Sequence, residues 1–186
     1  MTESDDPDAP DEDLGERRMW RVVIDAPIEI VWNTLVKTDE VLPFLFGAVC
    51  ETDGEFAVGK PMRMVSGDGK LAIAVGRVLV FDPPHRFSHT ISFTQVEGER
   101  PARTTYELRE TPSGTEVTLI SEAVPASKMG KMAKSGPFIM DNLKAFIETG
   151  KPTFGGTVMM RVAPLVSLFA SKRSRIVNWP LNAIKQ

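Results

Sequence analysis

Apolar residues near the start of the chain are spaced as a strand followed directly by a helix. Residues 22–25 alternate as in a strand, and residues 28–36 place apolar side chains at i, i+3, i+4, i+7 and i+8. Such a stripe covers one face of a helix. Its members are Ile28, Val31, Trp32, Leu35 and Val36. Pro27 suits the first helical position, where its missing N–H removes no hydrogen bond. A second short helix is expected before the next strand.

Six β-like runs follow, bounded by glycine- and proline-rich turns. They cover residues 48–58, 61–66, 71–81, 86–96, 103–110 and 115–124. Gly67-Asp68-Gly69 and the turn 111–114 are short, which predicts that the strands they join are antiparallel neighbours. In the run 86–96, alternation places His89 on the same face as Phe87, Ile91 and Phe93.

The spacing becomes helical again from Met129 to Ile147. Gly150 stands where a C-terminal cap belongs. Gly136-Pro137 interrupts the pattern, so the helix either begins near Pro137 or is kinked there. One long helix and several antiparallel strands predict an α+β fold, in which a curved sheet wraps the C-terminal helix and leaves a hollow between them.

Charge is distributed unevenly along the chain. The first 16 residues carry eight acids and no base, whereas residues 151–186 carry six bases and no acid. We expect residues 1–17 to be a disordered acidic tail, because they hold too few apolar side chains to offset the entropy of ordering. The globular domain is expected at 18–152. Residues 153–186 are expected to be a helical basic extension, with Pro164 breaking or restarting the helix.

The composition and motifs argue against several functional classes. Cys50 is the only cysteine, and His85 and His89 are the only histidines, so neither a disulfide nor a metal site is expected. Phosphate-cradling and dinucleotide-binding motifs are absent from the sequence, and we expect no cofactor and no catalytic constellation. The net charge of −3 gives no sign of nucleic-acid binding. With one cysteine and no secretory signal, a cytoplasmic location is expected.

Several short motifs together resemble the helix-grip, or START-like (SRPBCC), superfamily. The resemblance is greatest to the branch named after the C-terminal domain of the Hsp-90 ATPase activator, and it covers about residues 19–152. The motifs are 23–27, 31–32, 59–60, 76–78, 82–87, 104–108, 114–119 and 141–150. The resemblance implies a curved antiparallel sheet around a long C-terminal helix, with two short helices after the first strand. Members of the superfamily bind lipids, hormones, polyketides or chaperones, and a few are enzymes.

Two positions depart from the relatives. Related helices often read Gly-Trp-Pro at their midpoint, where this chain has Ser135-Gly136-Pro137. Relatives also tend to carry a tryptophan pair where this chain has Phe44-Leu45-Phe46. Both changes are expected to alter the wall of the hollow, so a relative's ligand does not transfer to this chain.

Apolar, aromatic and methionine side chains of the predicted interior form the candidate ligand site, with three polar residues among them. The candidates are Trp32, Phe44, Phe46, Met62, Met64, Arg77, His89, Phe93, Tyr106, Met132 and Met140. Methionine suits adaptable apolar cavities, and Arg77 and Tyr106 are the polar groups expected to orient a ligand. His89 is expected to be a satisfied interior histidine, with ligand contact or general-base chemistry as the alternatives.

The favoured hypothesis is a non-enzymatic protein that holds a small hydrophobic or lipid-like ligand between sheet and helix. One alternative is a stress-related co-chaperone that acts through its surface on an Hsp-90-type chaperone. Another is a cyclase- or hydrolase-like enzyme that uses His89. For residues 153–186, docking against protein is favoured over peripheral membrane contact.

Overall fold

The computed structural model describes residues 16–38, 40–98, 100–123, 135–167 and 170–184, with only the backbone for 164–167. One curved sheet of eight antiparallel strands occupies most of this part of the chain. Its strands are β1 (Glu16–Ile24), β2 (Val41–Leu42), β3 (Ala48–Thr52), β4 (Pro61–Val65), β5 (Ala72–Asp82), β6 (Arg86–Phe93), β7 (Ala102–Thr111) and β8 (Gly114–Ala123). Their order is β1-β8-β7-β6-β5-β4-β3-β2.

Short turns make β2 to β8 a meander in which each strand pairs with the next. The turn at Gly67-Asp68-Gly69 joins β4 to β5, and Gly69 takes a left-handed conformation with φ 71°. β1 closes the far edge by pairing with β8 from Glu16↔Ala123 to Ile24↔Thr115. The predicted antiparallel strands are therefore confirmed, although the run 48–58 is a strand only as far as Thr52.

Three α-helices of the described chain accompany the sheet. α1 (Ile28–Leu35) buries Ile28, Val31, Trp32 and Leu35, which is the stripe that the sequence predicts. α2 (Gly136–Thr149) has Pro137 in its first turn and ends at Gly150, whose N–H donates to the carbonyl of Phe146 at 2.9 Å. The second short helix is a 3-10 turn, Pro43–Leu45. These elements confirm the predicted α+β helix-grip fold.

The ends of the chain differ in detail from the predictions. β1 begins at Glu16, so its first two residues belong to the strand rather than to the expected tail. Residues 1–15 and the segment 124–134, including Met129 and Met132, lie outside the described residues. α3 (Phe154–Ser167) runs through Pro164, so the expected break there is wrong. Within the described part of the chain, no helix is long and apolar enough to cross a membrane.

Asn142 of α2 fixes the start of α3. Its Oδ1 accepts hydrogen bonds from the backbone N–H of Thr153 at 3.0 Å and from its hydroxyl at 2.9 Å. Gly156 lies against the same amide, because a Cβ at this position would meet Asn142 Oδ1 at 1.9 Å. This contact leaves the opposite side of α3 turned to solvent.

Residues 170–184 form three short 3-10 turns that cross the outer face of β4 and β5, and we call this segment the C-terminal strap. Leu71 forms a β-bridge with Arg175. Arg63 and Arg77 donate to the carbonyls of Trp179 and Ile184 at 2.8 and 2.6 Å. Strand neighbours point to opposite faces, so these arginines lie on the face away from the buried Met62 and Val78. Residues 170–184 of the extension therefore dock on the sheet, as favoured from the sequence for 153–186, whereas Phe154, Val158 and Val162 of α3 are exposed.

Candidate functional site

A cavity of about 240 Å³ lies between the concave face of the sheet and the first turn of α2. Ligand pockets for drug-sized molecules hold roughly 300–1,000 Å³, so this cavity suits a smaller molecule. Most of its wall is apolar, with a histidine, a tyrosine, a threonine and a serine. The lining residues are Leu45, Phe46, Ala48, Met64, Ile73, Ala74, His89, Ile91, Phe93, Thr104, Tyr106, Ser135 and Ile139.

His89 is the most distinctive polar group in this wall. Its side chain is buried, and its Nδ1 lies 3.1 Å from the backbone carbonyl oxygen of Thr90. A carbonyl oxygen only accepts, so the proton of the neutral ring is on Nδ1 and Nε2 is left as an acceptor. Burial lowers the pKa of His89 from 6.5 to about 4, despite the opposing effect of the hydrogen bond that the ring donates to the Thr90 carbonyl. The ring is therefore neutral at physiological pH.

Tyr106 supplies a second polar group in the same wall. Its side chain is 4% exposed, and burial, with a smaller effect of nearby Cys50, raises the pKa of its hydroxyl above the ordinary value of 10. The hydroxyl therefore stays protonated and can donate a hydrogen bond. Neither this hydroxyl nor His89 Nε2 has a hydrogen-bond partner among the residues that the structure describes.

The sheet register brings these groups together. His89 of β6 lies directly opposite Thr104 of β7, and Tyr106 follows two residues later on the same face. Directly opposed residues on antiparallel strands have Cβ atoms about 4.5–5.5 Å apart. The three side chains thus form a polar strip in an otherwise apolar wall, while Ser135 adds a hydroxyl from the helix side.

Phe46 forms part of the wall next to the helix. Its backbone is left-handed with φ 59°, a strained conformation for a residue with a Cβ, and Gly47 follows with φ 77°. The ring stacks on Phe138 of α2 with centroids 4.8 Å apart and planes within 2°. Leu45 and Phe46 line the cavity and Phe44 does not, so the departure at 44–46 lies in the cavity wall.

The structure places about half of the sequence-predicted ligand residues at this cavity. Phe46, Met64, His89, Phe93 and Tyr106 line it. Trp32, Phe44, Met62 and Met140 are instead packed in the hydrophobic core. Arg77 is bound to the carbonyls of Gly59 and Ile184 and does not line the cavity. Met132 lies outside the described residues.

Eight lining residues were not among the sequence-predicted candidates. They are Leu45, Ala48, Ile73, Ala74, Ile91, Thr104, Ser135 and Ile139. Strand alternation could have identified two of them, since Ile91 shares a face with His89 and Thr104 shares one with Tyr106. Small residues such as Ala48 and Ala74 carry no chemical signal, and only the packed structure shows that they leave space.

The other reactive groups of the described chain are poorly suited to chemistry here. Burial raises the pKa of Cys50 to about 12, so its thiol stays protonated and unreactive. Groups of three or more potential metal ligands do not occur within the described residues. With His89 neutral and its pKa near 4, the cavity offers hydrogen bonding rather than strong acid or base.

Comparison with known proteins gives a family match for most of the chain. The family described as "Activator of Hsp90 ATPase homolog 1-like protein" matches residues 25–148. None of the curated proteins matches the chain significantly. Among solved structures, protein CV1439 from Chromobacterium violaceum is 22% identical with a TM-score of 0.53, and the alignment covers 71% of this chain and 96% of that one.

Two further structures share the fold. The AHSA1-like protein from Aeromonas hydrophila is 18% identical with a TM-score of 0.56, over 73% of this chain and 94% of that one. An HSP90 activator from Plasmodium falciparum is 18% identical with a TM-score of 0.55, over 74% of this chain and 99% of that one. Identities this low establish a common fold and leave function to be argued from the site.

Proposed function

The chain belongs to the Activator of Hsp90 ATPase homolog 1-like protein family, and from this premise we propose that it binds a small, largely apolar molecule in the cavity between sheet and α2. The observation that carries the proposal is the apolar cavity of about 240 Å³, whose wall holds an acceptor and a donor with no partner among the described residues. Buried polar groups are almost always hydrogen-bonded, to protein, water or ligand. A ligand with an apolar body and one polar group would fill the apolar space and form hydrogen bonds with these two groups.

A cavity-filling variant tests this proposal. Ala74 is buried in the cavity wall, so Ala74→Leu places three additional carbon atoms in the space that the ligand would occupy. Ala57 is exposed in the loop before β4, and Ala57→Leu is the matched control. Titration with 2-methylnaphthalene, monitored through amide chemical shifts, should show binding to the unmodified protein and to the control. Ala74→Leu should weaken binding at least tenfold.

Native mass spectrometry of protein purified from cell extract supplies an independent measurement. A retained small molecule should be present in the unmodified protein and in Ala57→Leu and lost in Ala74→Leu. No retained molecule together with no binding of 2-methylnaphthalene would overturn the proposal. Equal binding by all three proteins would place the ligand outside this cavity.

One surface feature supports a second candidate function, binding to an Hsp90-type chaperone. α3 exposes an apolar stripe of Phe154, Val158 and Val162, and Phe154 is 86% exposed. Residues 151–186 carry six bases and no acid, which suits an acidic partner surface. A related protein from Plasmodium falciparum is an HSP90 activator.

The chaperone hypothesis has a direct test. Addition of the protein to a purified Hsp90-type chaperone should raise the ATPase rate of the chaperone. The double substitution Phe154→Ser and Val158→Ser should abolish this increase. Val58→Ser is the control, because Val58 is 65% exposed in the loop between β3 and β4. An unchanged ATPase rate, with no complex in sedimentation velocity, would exclude this function.

A further inference from the structure

The polar strip of the cavity specifies the chemistry of the ligand's polar group, and this step rests on the proposed function. His89 Nε2 can only accept, because the ring's single proton is on Nδ1 beside the carbonyl of Thr90. The Tyr106 hydroxyl can donate, and it too has no partner among the described residues. A complementary ligand group must therefore donate to one atom and accept from the other.

Few functional groups can do both at one atom. A carboxylate and a ketone accept but do not donate, so either would leave His89 Nε2 without a partner. An ammonium group donates but cannot accept from Tyr106. A hydroxyl does both, because its oxygen carries one proton and two lone pairs. The two wall groups lie on adjacent strands and on one face, with Tyr106 diagonally opposite His89, so both border the same cavity.

The charge of the cavity wall also indicates that the polar group of the ligand is neutral. None of the described residues that line the cavity is a lysine, arginine, aspartate or glutamate. Arg77, the cation expected to orient a ligand, is occupied by the carbonyls of Gly59 and Ile184. A charged group would therefore enter an apolar space without a counter-ion, which is strongly unfavourable. The ligand is neutral on this argument.

We infer that the cavity selects a small neutral alcohol or phenol whose hydroxyl donates to His89 Nε2 and accepts from the Tyr106 hydroxyl. Each neutral hydrogen bond of this kind contributes a factor of about two to ten in affinity. The apolar body of the molecule then fills the space between Met64, Ile91, Phe93 and Ile139.

A matched set of three probes tests the inference: 2-naphthol, 2-methylnaphthalene and 2-naphthoate share a ring system and differ in one group. Isothermal titration calorimetry at pH 7 should give the tightest binding for 2-naphthol, about tenfold tighter than for 2-methylnaphthalene. The anion 2-naphthoate should bind weakest. Tyr106→Phe and His89→Leu should each reduce the advantage of the hydroxyl, whereas His85→Gln, at an exposed histidine, should leave it unchanged.

The nitrogen resonances of His89 provide a readout that folding defects would not imitate. Long-range ¹⁵N correlation spectra should show the Nδ1–H tautomer in the free protein, and 2-naphthol should shift Nε2 as it gains a hydrogen bond. Equal affinities for 2-naphthol and 2-methylnaphthalene, or tighter binding of 2-naphthoate, would overturn the inference and leave an apolar binding cavity. Absence of binding by all three probes would overturn the inference and the proposed function together.

Discussion

The concave face of the sheet has two halves that are built differently. The filled half, around Trp32, Phe44, Phe56 and Phe87, is packed with aromatic rings; Phe56 and Phe87, for example, have centroids 5.1 Å apart. The open half contains the small buried residues Ala74, Ala102 and Ala123 together with Ile91. The boundary crosses β6 between Phe87 and His89, whose ring centroids are 5.2 Å apart. Side-chain volume, rather than backbone path, thus determines where the cavity lies.

The two halves also differ in their contacts on the outer face of the sheet. The C-terminal strap lies against the outer face of β4 and β5, and β5 contributes Ala74 to the open half. Thr94, next to the cavity residue Phe93, lies 3.0 Å from Ser174 of the strap through their hydroxyl oxygens, and both side chains are buried. We therefore expect the filled half to depend on its interior packing and the open half to depend partly on the strap.

Truncation of one ring in each half should give the largest contrast. Phe44 is fully buried in the filled half, so Phe44→Ala should lower the free energy of unfolding by about 3–5 kcal/mol. Phe93 borders the cavity, so fewer contacts are lost when its ring is removed. Phe93→Ala should therefore lower the free energy of unfolding by only about 1–2 kcal/mol. Urea unfolding measures both values. Equal losses would mean that the open half is as tightly packed as the filled half in solution.

His89 should make stability depend on pH in the open half. Its pKa is about 4 in the folded protein and 6.5 when unperturbed, so between these values the unfolded chain binds the additional proton. The free energy of unfolding should therefore rise as pH increases from 4 to 6.5, by up to about 3 kcal/mol from this group. Above pH 6.5 its contribution is fully present, and it is lost as pH falls.

Urea unfolding between pH 4 and pH 7.5 tests this dependence. His89→Leu should flatten the rise relative to the unmodified protein, whereas His85→Gln should keep it, because His85 is exposed. The titration of carboxylates, including Glu148, whose pKa is lowered by hydrogen bonds from Asp25 N–H and Lys144, is common to all three proteins. An identical pH profile for His89→Leu would show that the imidazole is solvated.

Local periodicity predicts the elements of this fold well and the cavity only in part. The stripe of α1 and the alternation in β6 depend on neighbours in sequence, so the sequence alone shows which side chains face inward. Whether an inward ring packs tightly or borders a cavity depends on residues far away in sequence. Phe44 and Phe46 show the limit, since they are two residues apart and yet lie in the core and in the cavity wall.

Gly136 illustrates a contact that no local pattern reveals. A Cβ on Gly136 would lie 2.2 Å from the indole ring of Trp20, so the indole of β1 occupies the space beside the start of α2. Related helices often read Gly-Trp-Pro where this chain has Ser135-Gly136-Pro137. Here the indole of Trp20 lies beside Gly136, next to Ser135 in the cavity wall.

A double-mutant cycle tests the contact between Trp20 and Gly136 at the edge of the open half. Gly136→Ala should cost about 1–3 kcal/mol in the unmodified protein, because the indole ring has to move. In a Trp20→Ala background the same change should cost almost nothing, giving a coupling energy of at least about 1 kcal/mol. Urea unfolding of the four proteins measures it. Additive effects would show that the indole does not cover Gly136 in solution.

The smallest expected effect tests the support that the strap gives to the open half. Ser174→Ala removes one buried hydrogen bond but leaves the Thr94 hydroxyl its bond to the carbonyl of Ala72, at 2.6 Å. The free energy of unfolding should therefore fall by only about 1 kcal/mol. Ser113→Ala, at an exposed turn between β7 and β8, is the control and should be nearly neutral.

Amide hydrogen exchange localises the effect of Ser174→Ala within the sheet. If the strap supports the open half, amides of β5 near Ala72 and Ala74 should exchange faster in this variant, because local opening becomes easier there. Amides of β8 at Val117 and Leu119, which belong to the filled half and pair with β1, should be unchanged. Uniformly faster exchange across both regions would mean that the strap stabilises the whole domain and that the two halves do not differ in this respect.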